Sequence, residues 1–222
     1  VNKINISPAY LAGHSLGEYS ALVAANSISI TEALKLVRKR GELMESAPNG
    51  SMSAIMGLDY NAIDEICVVA SRGDDSHVQC ANLNSPNQTV ISGHDDAVLR
   101  AQDLCTAKGA KRAVKLNVSI ASHSKLMLSA ANEFQKSLNA IQFRMPDKKI
   151  IHNVSVDSVT SSHDIPSLLV SQLHSPVRWV ETCNFISTLD LPIIECGPGK
   201  VLSGLFKANK LDNYYSTSSA SS

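Results

Sequence analysis

Apolar residues recur every three or four positions in seven stretches of the chain, and this spacing is typical of amphipathic helices with one buried face. The predicted helices begin near residues 17, 29, 61, 95, 124, 164 and 179. Shorter apolar runs predict strands at 9–12, 52–58, 78–83, 89–92, 111–118, 150–154 and 191–196. The mixture of helices and strands indicates an α/β fold.

Between residues 51 and 118 the predicted elements follow the order β-α-β-β-α-β, which is the order of a ferredoxin-like unit. The turn-forming residues 47–50 end the preceding helix. We therefore expect a ferredoxin-like small lobe over residues 51–118, inserted into a larger lobe formed by residues 1–50 and 119–213. The serine-rich stretch 214–222 predicts a disordered tail.

The second predicted helix carries a charged residue on its apolar face. Ser29 and Glu32 have the spacing of a capping box and mark where this helix begins. Arg40 lies between Ala33 and Met44 on the face that the apolar residues define. Because an unpaired buried charge is costly, three interpretations stay open for Arg40. It pairs with a protein carboxylate, it reaches water with its charged end, or it binds a substrate carboxylate.

A glycine-bounded serine lies where the first predicted strand meets the first predicted helix. The sequence Gly13-His14-Ser15-Leu16-Gly17 has the G-x-S-x-G form of a nucleophile elbow. In such an elbow the serine hydroxyl is exposed at a helix N-terminus, and small residues flank it because backbone approaches backbone. The alternative is a glycine-bounded turn that holds an ordinary serine.

Two further features have both a functional and a structural interpretation. His123 precedes a predicted helix, where a histidine either takes part in catalysis or is an ordinary surface or capping residue. The loop at 197–200, Gly-Pro-Gly-Lys, resembles a phosphate-binding loop. It lacks the spacing and the trailing Ser or Thr of a P-loop, which favours a tight turn from strand to helix.

Composition and charge argue against several classes of function. The 222 residues include 20 basic and 20 acidic side chains without a basic run, so neither a nucleic-acid nor a membrane partner is indicated. No apolar run approaches transmembrane length. Five scattered cysteines without a C-x-x-C pair predict buried, reduced thiols and a cytoplasmic protein. The seven histidines show no metal-binding spacing.

Six segments, taken in order, resemble the malonyl-CoA:acyl carrier protein transacylases of the FabD type. Their sequences are GHSLGEYSAL, RG, NLNSP, SHS, QLHSPVRW and ECGPGKVL, at residues 13–22, 40–41, 82–86, 122–124, 172–179 and 195–202. Each segment alone is weak, but six in the family's order are specific, and the resemblance covers nearly the whole chain. It implies an α/β-hydrolase-like larger lobe with an inserted ferredoxin-like lobe.

The resemblance also implies roles for individual residues. Ser15 would be the nucleophile, and His123 would be its general base, oriented by the backbone carbonyl of Gln172. Arg40 would bind the free malonyl carboxylate. The other implied substrate-binding residues are Leu16, whose backbone N–H would serve the oxyanion hole, together with Asn84 and His14.

The implied reaction is ping-pong transfer in fatty acid biosynthesis. Ser15 would take a malonyl group from malonyl-CoA and pass it to the phosphopantetheine thiol of acyl carrier protein. The resemblance implies no metal or bound cofactor, and a monomer is expected. Two other functions stay open: a serine esterase or thioesterase of the α/β-hydrolase type, and an inactive acyl-carrier-binding module.

The sequence departs from the family pattern in two places. Family members begin with a strand and a Gly-Gln-Gly-Ser-Gln loop that supplies the other oxyanion-hole N–H, and the sequence lacks this segment. A truncated chain is therefore expected. Residues 120–123 read Ile-Ala-Ser-His and share three letters with the Tyr-Ala-Ser-His pattern of methylmalonyl-specific domains. Malonyl remains the expected acyl group.

Overall fold

Eight helices and eight short strands form a mixed α/β structure over residues 7–219, which is the part of the chain that the computed structural model describes. The helices are α1 (Gly17–Ala24), α2 (Ile30–Glu45), α3 (Tyr60–Ala70), α4 (Asp95–Ala107), α5 (Leu128–Asn139), α6 (Ile165–His174), α7 (Trp179–Ser187) and α8 (Val201–Ala208). The strands are β1 (Tyr10–Ala12), β2 (Ser51–Met56), β3 (Val78–Ser85), β4 (Gln88–Gly93), β5 (Arg112–Lys115), β6 (Lys149–Ile151), β7 (Ile193–Glu195) and β8 (Tyr214–Ser216). Within these residues no helix is both long enough and apolar enough to cross a membrane.

An antiparallel sheet of four strands, in the order β3-β4-β2-β5, forms one half of the molecule. Every element predicted between residues 51 and 118 is present. The largest difference is the end of β5, at residue 115 instead of 118. Helices α3 and α4 pack together and against the sheet, and their common core includes Ile55, Ile63, Ile91 and Val98. The periodicity of apolar residues therefore predicted the helices and strands of this half in their order.

The other half is built around the parallel pair β1 and β6, whose residues Leu11 and Ile150 lie opposite one another. Helices α1, α2, α5 and α6 bury one continuous apolar core here, and its members include Tyr19, Leu22, Leu36, Met127, Phe134, Leu138, Ile150 and Leu169. Burial of these side chains holds the four helices in fixed positions around the end of β1.

Helix α2 begins at the predicted capping box. The Ser29 hydroxyl accepts a hydrogen bond from the Glu32 N–H at 3.2 Å, and the Glu32 carboxylate accepts one from the Ser29 N–H at 2.8 Å. The apolar face of the helix, including Ala33 and Met44, packs into the core. Arg40 lies on the same face and is only 8% exposed.

The end of the chain differs from its prediction. Tyr214–Ser216 form β8, which pairs in parallel with β7, so the predicted disordered tail is wrong for residues 214–219; residues 220–222 lie outside the described residues. The ring of Tyr214 packs 5.9 Å from that of Phe206, a contact that a serine-rich composition does not reveal. The strand predicted at 191–196 is present as β7, and only Glu195 of that strand is buried.

Strand β3 joins the two halves of the molecule. The segment between α6 and α7 runs beside it, with hydrogen bonds of 2.9 Å from the Leu83 N–H to the Val177 carbonyl and from the Val177 N–H to the Ala81 carbonyl. This pairing holds the antiparallel sheet beside the end of α6 and the loop that carries His123.

Candidate active site

Ser15 lies in a strained turn between β1 and α1. Its φ is +50°, in the left-handed region that costs a residue with a side chain roughly 1 kcal/mol or more. Gly13 makes the turn possible, because a Cβ there would lie 2.0 Å from the carbonyl carbon of Gly17. A Cβ on Gly17 itself would meet open space. Close backbone approach therefore requires only the first glycine of the motif, not both.

The hydroxyl of Ser15 lies 2.8 Å from Nε2 of His123. The other ring nitrogen, Nδ1, lies 2.7 Å from the backbone carbonyl of Gln172. Because a carbonyl only accepts, Nδ1 carries the proton in the neutral ring and Nε2 is free to accept the serine proton. His123 also has a positive φ of +60°. Two strained residues that are 108 positions apart thus meet at one hydrogen bond.

The buried site keeps the imidazole of His123 neutral. His123 is 3% exposed, and this burial, with a smaller effect from the positive charge of Arg40, lowers its pKa to about 3 from the usual 6.5. A neutral imidazole beside a serine hydroxyl can act as a general base over the whole range of ordinary assay pH.

Arg40 points at the same hydroxyl from α2. Its Nη2 donates to Ser15 Oγ at 3.2 Å and to the side-chain oxygen of Gln172 at 3.5 Å, and its guanidinium lies 6.0 Å from the centre of the Tyr19 ring. Among residues 7–219 no carboxylate forms a salt bridge with Arg40, and its Nε, also buried, has no hydrogen-bond partner. Burial lowers the pKa of Arg40, yet a guanidinium stays charged.

These contacts bear on the three interpretations of Arg40. The side chain is largely buried, and within the described part of the chain no salt bridge joins it to a carboxylate. A largely buried cation with an unused donor beside a serine hydroxyl is chemically suited to an anion.

The three remaining predicted residues lie around the elbow. His14 Nε2 and the Asn84 side-chain oxygen are 2.9 Å apart, and the His14 ring packs 5.2 Å from Trp179. Burial lowers the pKa of His14. Leu16 directly precedes α1, and its N–H meets no acceptor in residues 7–219. All seven predicted site residues, including Gln172, therefore lie in or beside one turn.

A buried polar network beneath the turn has no counterpart in the sequence analysis. Glu18 accepts hydrogen bonds from the Gln172 side chain at 2.6 Å and from the Asn153 N–H at 3.2 Å, and His152 Nδ1 lies 2.7 Å from it. The Asn153 side chain accepts from the Ser15 N–H at 2.7 Å and donates to the Gly13 carbonyl at 2.6 Å. Glu18 sits on the buried side of a short apolar helix, which is the one sequence signal that could have revealed this network.

The loop at 197–200 is not a phosphate cradle. The Glu195 carboxylate accepts from the backbone N–H groups of Leu202 and Ser203, each at 2.9 Å, and so occupies the N-terminus of α8 with a negative charge of the protein itself. This agrees with the prediction of a tight turn. The prediction that all five cysteines are buried is wrong for Cys196, which is exposed beside this loop.

Comparison with known proteins identifies relatives of the whole chain. The family described as acyl transferase domain matches residues 5–202. The chain is 46% identical over 206 residues to the malonyl CoA-acyl carrier protein transacylase of Haemophilus influenzae and 47% identical over 206 residues to that of Bacillus subtilis. Each match covers 91% of this chain and 65% of the relative. The chain thus spans just under two thirds of the length of these curated relatives.

The fold is also shared with a solved structure. The acyl carrier protein S-malonyltransferase from Vibrio cholerae superposes on this chain with a TM-score of 0.92 and 46% identity. The match covers 96% of this chain and 70% of that one. The mixed α/β fold of residues 7–219 is therefore shared with this solved S-malonyltransferase structure.

The two glycines of the elbow offer a test of why the turn needs them. We expect Gly13→Ala to lower the free energy of unfolding by about 1–3 kcal/mol or more, because the new methyl overlaps the backbone of Gly17. Gly17→Ala adds a methyl in open space at the start of α1 and should leave stability unchanged or slightly raised. Urea unfolding followed by circular dichroism measures both, and equal losses would contradict this account of the turn.

Proposed function

Because this chain belongs to the acyl transferase domain family, we propose that it transfers a malonyl group from malonyl-CoA to the phosphopantetheine thiol of acyl carrier protein, as a step of fatty acid biosynthesis. The relatives from Haemophilus influenzae and Bacillus subtilis are malonyl CoA-acyl carrier protein transacylases. The proposal rests on the two groups that lie beside the Ser15 hydroxyl. Ser15 Oγ lies 2.8 Å from a neutral imidazole and 3.2 Å from a buried guanidinium.

The first half-reaction makes an ester. Ser15 Oγ attacks the thioester carbonyl of malonyl-CoA while its proton moves to Nε2 of His123, and the resulting imidazolium is stabilised by its Nδ1–H bond to the Gln172 carbonyl. The negative charge on the former carbonyl oxygen lies near the N-terminus of α1, where the Leu16 N–H has no other acceptor within the described residues. The C–S bond then breaks, and His123 returns the proton to the CoA thiolate.

The second half-reaction reverses these steps with a different thiol. His123 takes the proton of the phosphopantetheine thiol, the sulfur attacks the malonyl-serine ester, and the proton returns to Ser15 as the C–O bond breaks. A water molecule could attack the same ester, so transfer depends on keeping water away from a site whose base is 3% exposed.

Arg40 accounts for the choice of acyl group. A malonyl group ends in a carboxylate that an acetyl group lacks, and a carboxylate accepts two parallel hydrogen bonds from a guanidinium. The proximity of the guanidinium to Ser15 Oγ suits an anion that is attached to the reacting carbonyl by one methylene group. The unused Nε supports this assignment, since a bound carboxylate could supply its missing partner.

We further propose that the two halves of the molecule are an α/β-hydrolase-like larger lobe and an inserted ferredoxin-like lobe. The supporting observations are the β-α-β-β-α-β order of residues 51–115 and the strand order β3-β4-β2-β5. The elbow between β1 and α1 supports the assignment of the α/β-hydrolase-like larger lobe. The site lies where β3 of the small lobe meets the larger lobe, through the His14–Asn84 contact.

Covalent labelling tests the proposed function directly. Incubation of the protein, as its gene encodes it, with malonyl-CoA should add the mass of one malonyl group to the peptide that contains Ser15, and subsequent addition of holo acyl carrier protein should remove it. Ser15→Ala should take no label. Folded protein without a label would favour a non-catalytic carrier-binding module, whereas rapid release of free malonate without transfer would favour a thioesterase.

Replacement of Arg40 tests the origin of specificity. We expect Arg40→Ala to lower kcat/KM for malonyl-CoA by about 10- to 150-fold, the equivalent of the 1.5–3 kcal/mol of a hydrogen bond to a charged group. kcat/KM for acetyl-CoA should not fall. Arg38→Ala is the matched control, because Arg38 lies two residues away with an exposed side chain paired to Glu42. Equal losses for both thioesters would contradict a carboxylate-binding role for Arg40.

The pH profile tests the state of the base. Since the pKa of His123 is lowered to about 3, kcat/KM should show no acid limb between pH 8 and pH 5. A histidine with the ordinary pKa of 6.5 would lose about thirtyfold over that range. Malonyl-N-acetylcysteamine is the substrate of choice, because it lacks the titrating phosphates of CoA. An acid limb near pH 6.5 would show that His123 is not held neutral by burial.

A further inference from the structure

The loop that carries His123 is held by hydrogen bonds from both halves of the molecule. His123 is in the left-handed region, and its own N–H donates to the Leu173 carbonyl at 3.0 Å. Its carbonyl accepts a hydrogen bond of 3.1 Å from the side chain of Gln79, which belongs to β3 in the antiparallel sheet. A residue of the other half of the molecule thus holds the backbone of the base.

The side-chain amide of Gln79 is fully used. Its Nε2 donates to the carbonyls of His123 at 3.1 Å and His174 at 3.2 Å. Its Oε1 accepts from the Lys125 N–H at 3.1 Å and lies 3.2 Å from Nε2 of His77. Because two carbonyls and a backbone N–H surround the amide, its orientation is fixed: a flipped amide would face oxygen with oxygen.

These contacts join the two parts of the structure that set the position of the imidazole. His123 and Lys125 lie on the loop of the base, and His174 is the last residue of α6. The carbonyl that accepts from His123 Nδ1 belongs to Gln172, two residues earlier in the same helix. Gln79 therefore links the loop that holds the imidazole to the helix end that orients it, and it satisfies a terminal carbonyl of that helix.

We propose that Gln79 is a positioning residue for the general base, acting from the antiparallel sheet through the backbone of His123. The inference rests on the proposed function for its kinetic consequence. Neither Ser15 nor Arg40 is among the hydrogen-bond partners of Gln79. Loss of its amide removes one of the links between the loop and the helix end, which allows the Ser15–His123 contact to lengthen, and a displacement of about 1 Å can cost roughly 10²-fold in rate.

Two substitutions separate positioning from simple filling of space. Gln79→Ala removes all four contacts. Gln79→Glu keeps the size of the side chain but sets a carboxylate oxygen against the carbonyls of His123 and His174. We expect both to lower kcat for malonyl transfer by about tenfold or more with KM within about twofold, because only the reacting geometry changes. If Gln79 merely filled space, Gln79→Glu would keep full activity.

The control is Gln102→Ala. Gln102 is the same residue type in α4 of the same half of the molecule, and its side chain makes no hydrogen bond among residues 7–219. This variant should match the wild type in kcat and KM. Urea unfolding of all three variants establishes that the proteins compared are folded.

The second readout is the Nδ1–H proton of His123 in the NMR spectrum of protein with labelled histidine, assigned by its loss in His123→Ala. In both Gln79 variants this resonance should move upfield or broaden, since its bond to Gln172 lengthens. An unchanged resonance overturns the proposal, even if kcat falls, and so does unchanged kcat in variants of an active wild type. If the wild type transfers no malonyl group, the proposed function fails, and the resonance alone then decides the role of Gln79.

Discussion

The site depends on one hydrogen bond between two residues that are each held in an unfavourable backbone conformation. Ser15 and His123 both have positive φ, at a cost of roughly 1–3 kcal/mol each, and neither conformation would persist in an isolated peptide. Asn153 fixes the first by bonding on both sides of the turn. The second is held by carbonyls at the end of α6 and by Gln79. These hydrogen bonds offset the cost of the two backbone conformations and hold hydroxyl and imidazole at 2.8 Å.

The electrostatics of the site follow from the burial of Arg40 without a salt bridge to a carboxylate among residues 7–219. Glu18 is a buried carboxylate close to Arg40, but it is already used by Gln172, Asn153 and His152 and forms no salt bridge with the guanidinium in residues 7–219. The positive charge is thus left beside Ser15, where it adds to the effect of burial in lowering the pKa of His123. A salt bridge to Glu18 would neutralise this charge and so remove the contact that, in the function proposed above, selects a malonyl group.

The sequence predicted most of what depends on local pattern. Apolar spacing predicted seven of the eight α-helices and the β-α-β-β-α-β order, and the spacing of Ser29 and Glu32 predicted the capping box of α2, because these are set by residues a few positions apart. It also marked Arg40, since a charge on an apolar stripe is anomalous. It could not give the network of Glu18 and Asn153, whose members lie 135 residues apart. It misjudged the tail from residue 214, because the pairing of β8 with β7 and the packing of Tyr214 are tertiary.

The contacts of β3 show which residues each half of the molecule brings to the site. Ser15, the Arg40 guanidinium and the Gln172 carbonyl that accepts from His123 all belong to the larger half. The antiparallel sheet supplies Asn84 beside His14 and Gln79 behind His123. Because β3 is also tied to residue 177 by backbone hydrogen bonds, a shift of the sheet would be transmitted to both sides of the serine at once. The relative position of the halves is therefore a condition of the geometry at Ser15, and the sheet is part of the site and not only a support for it.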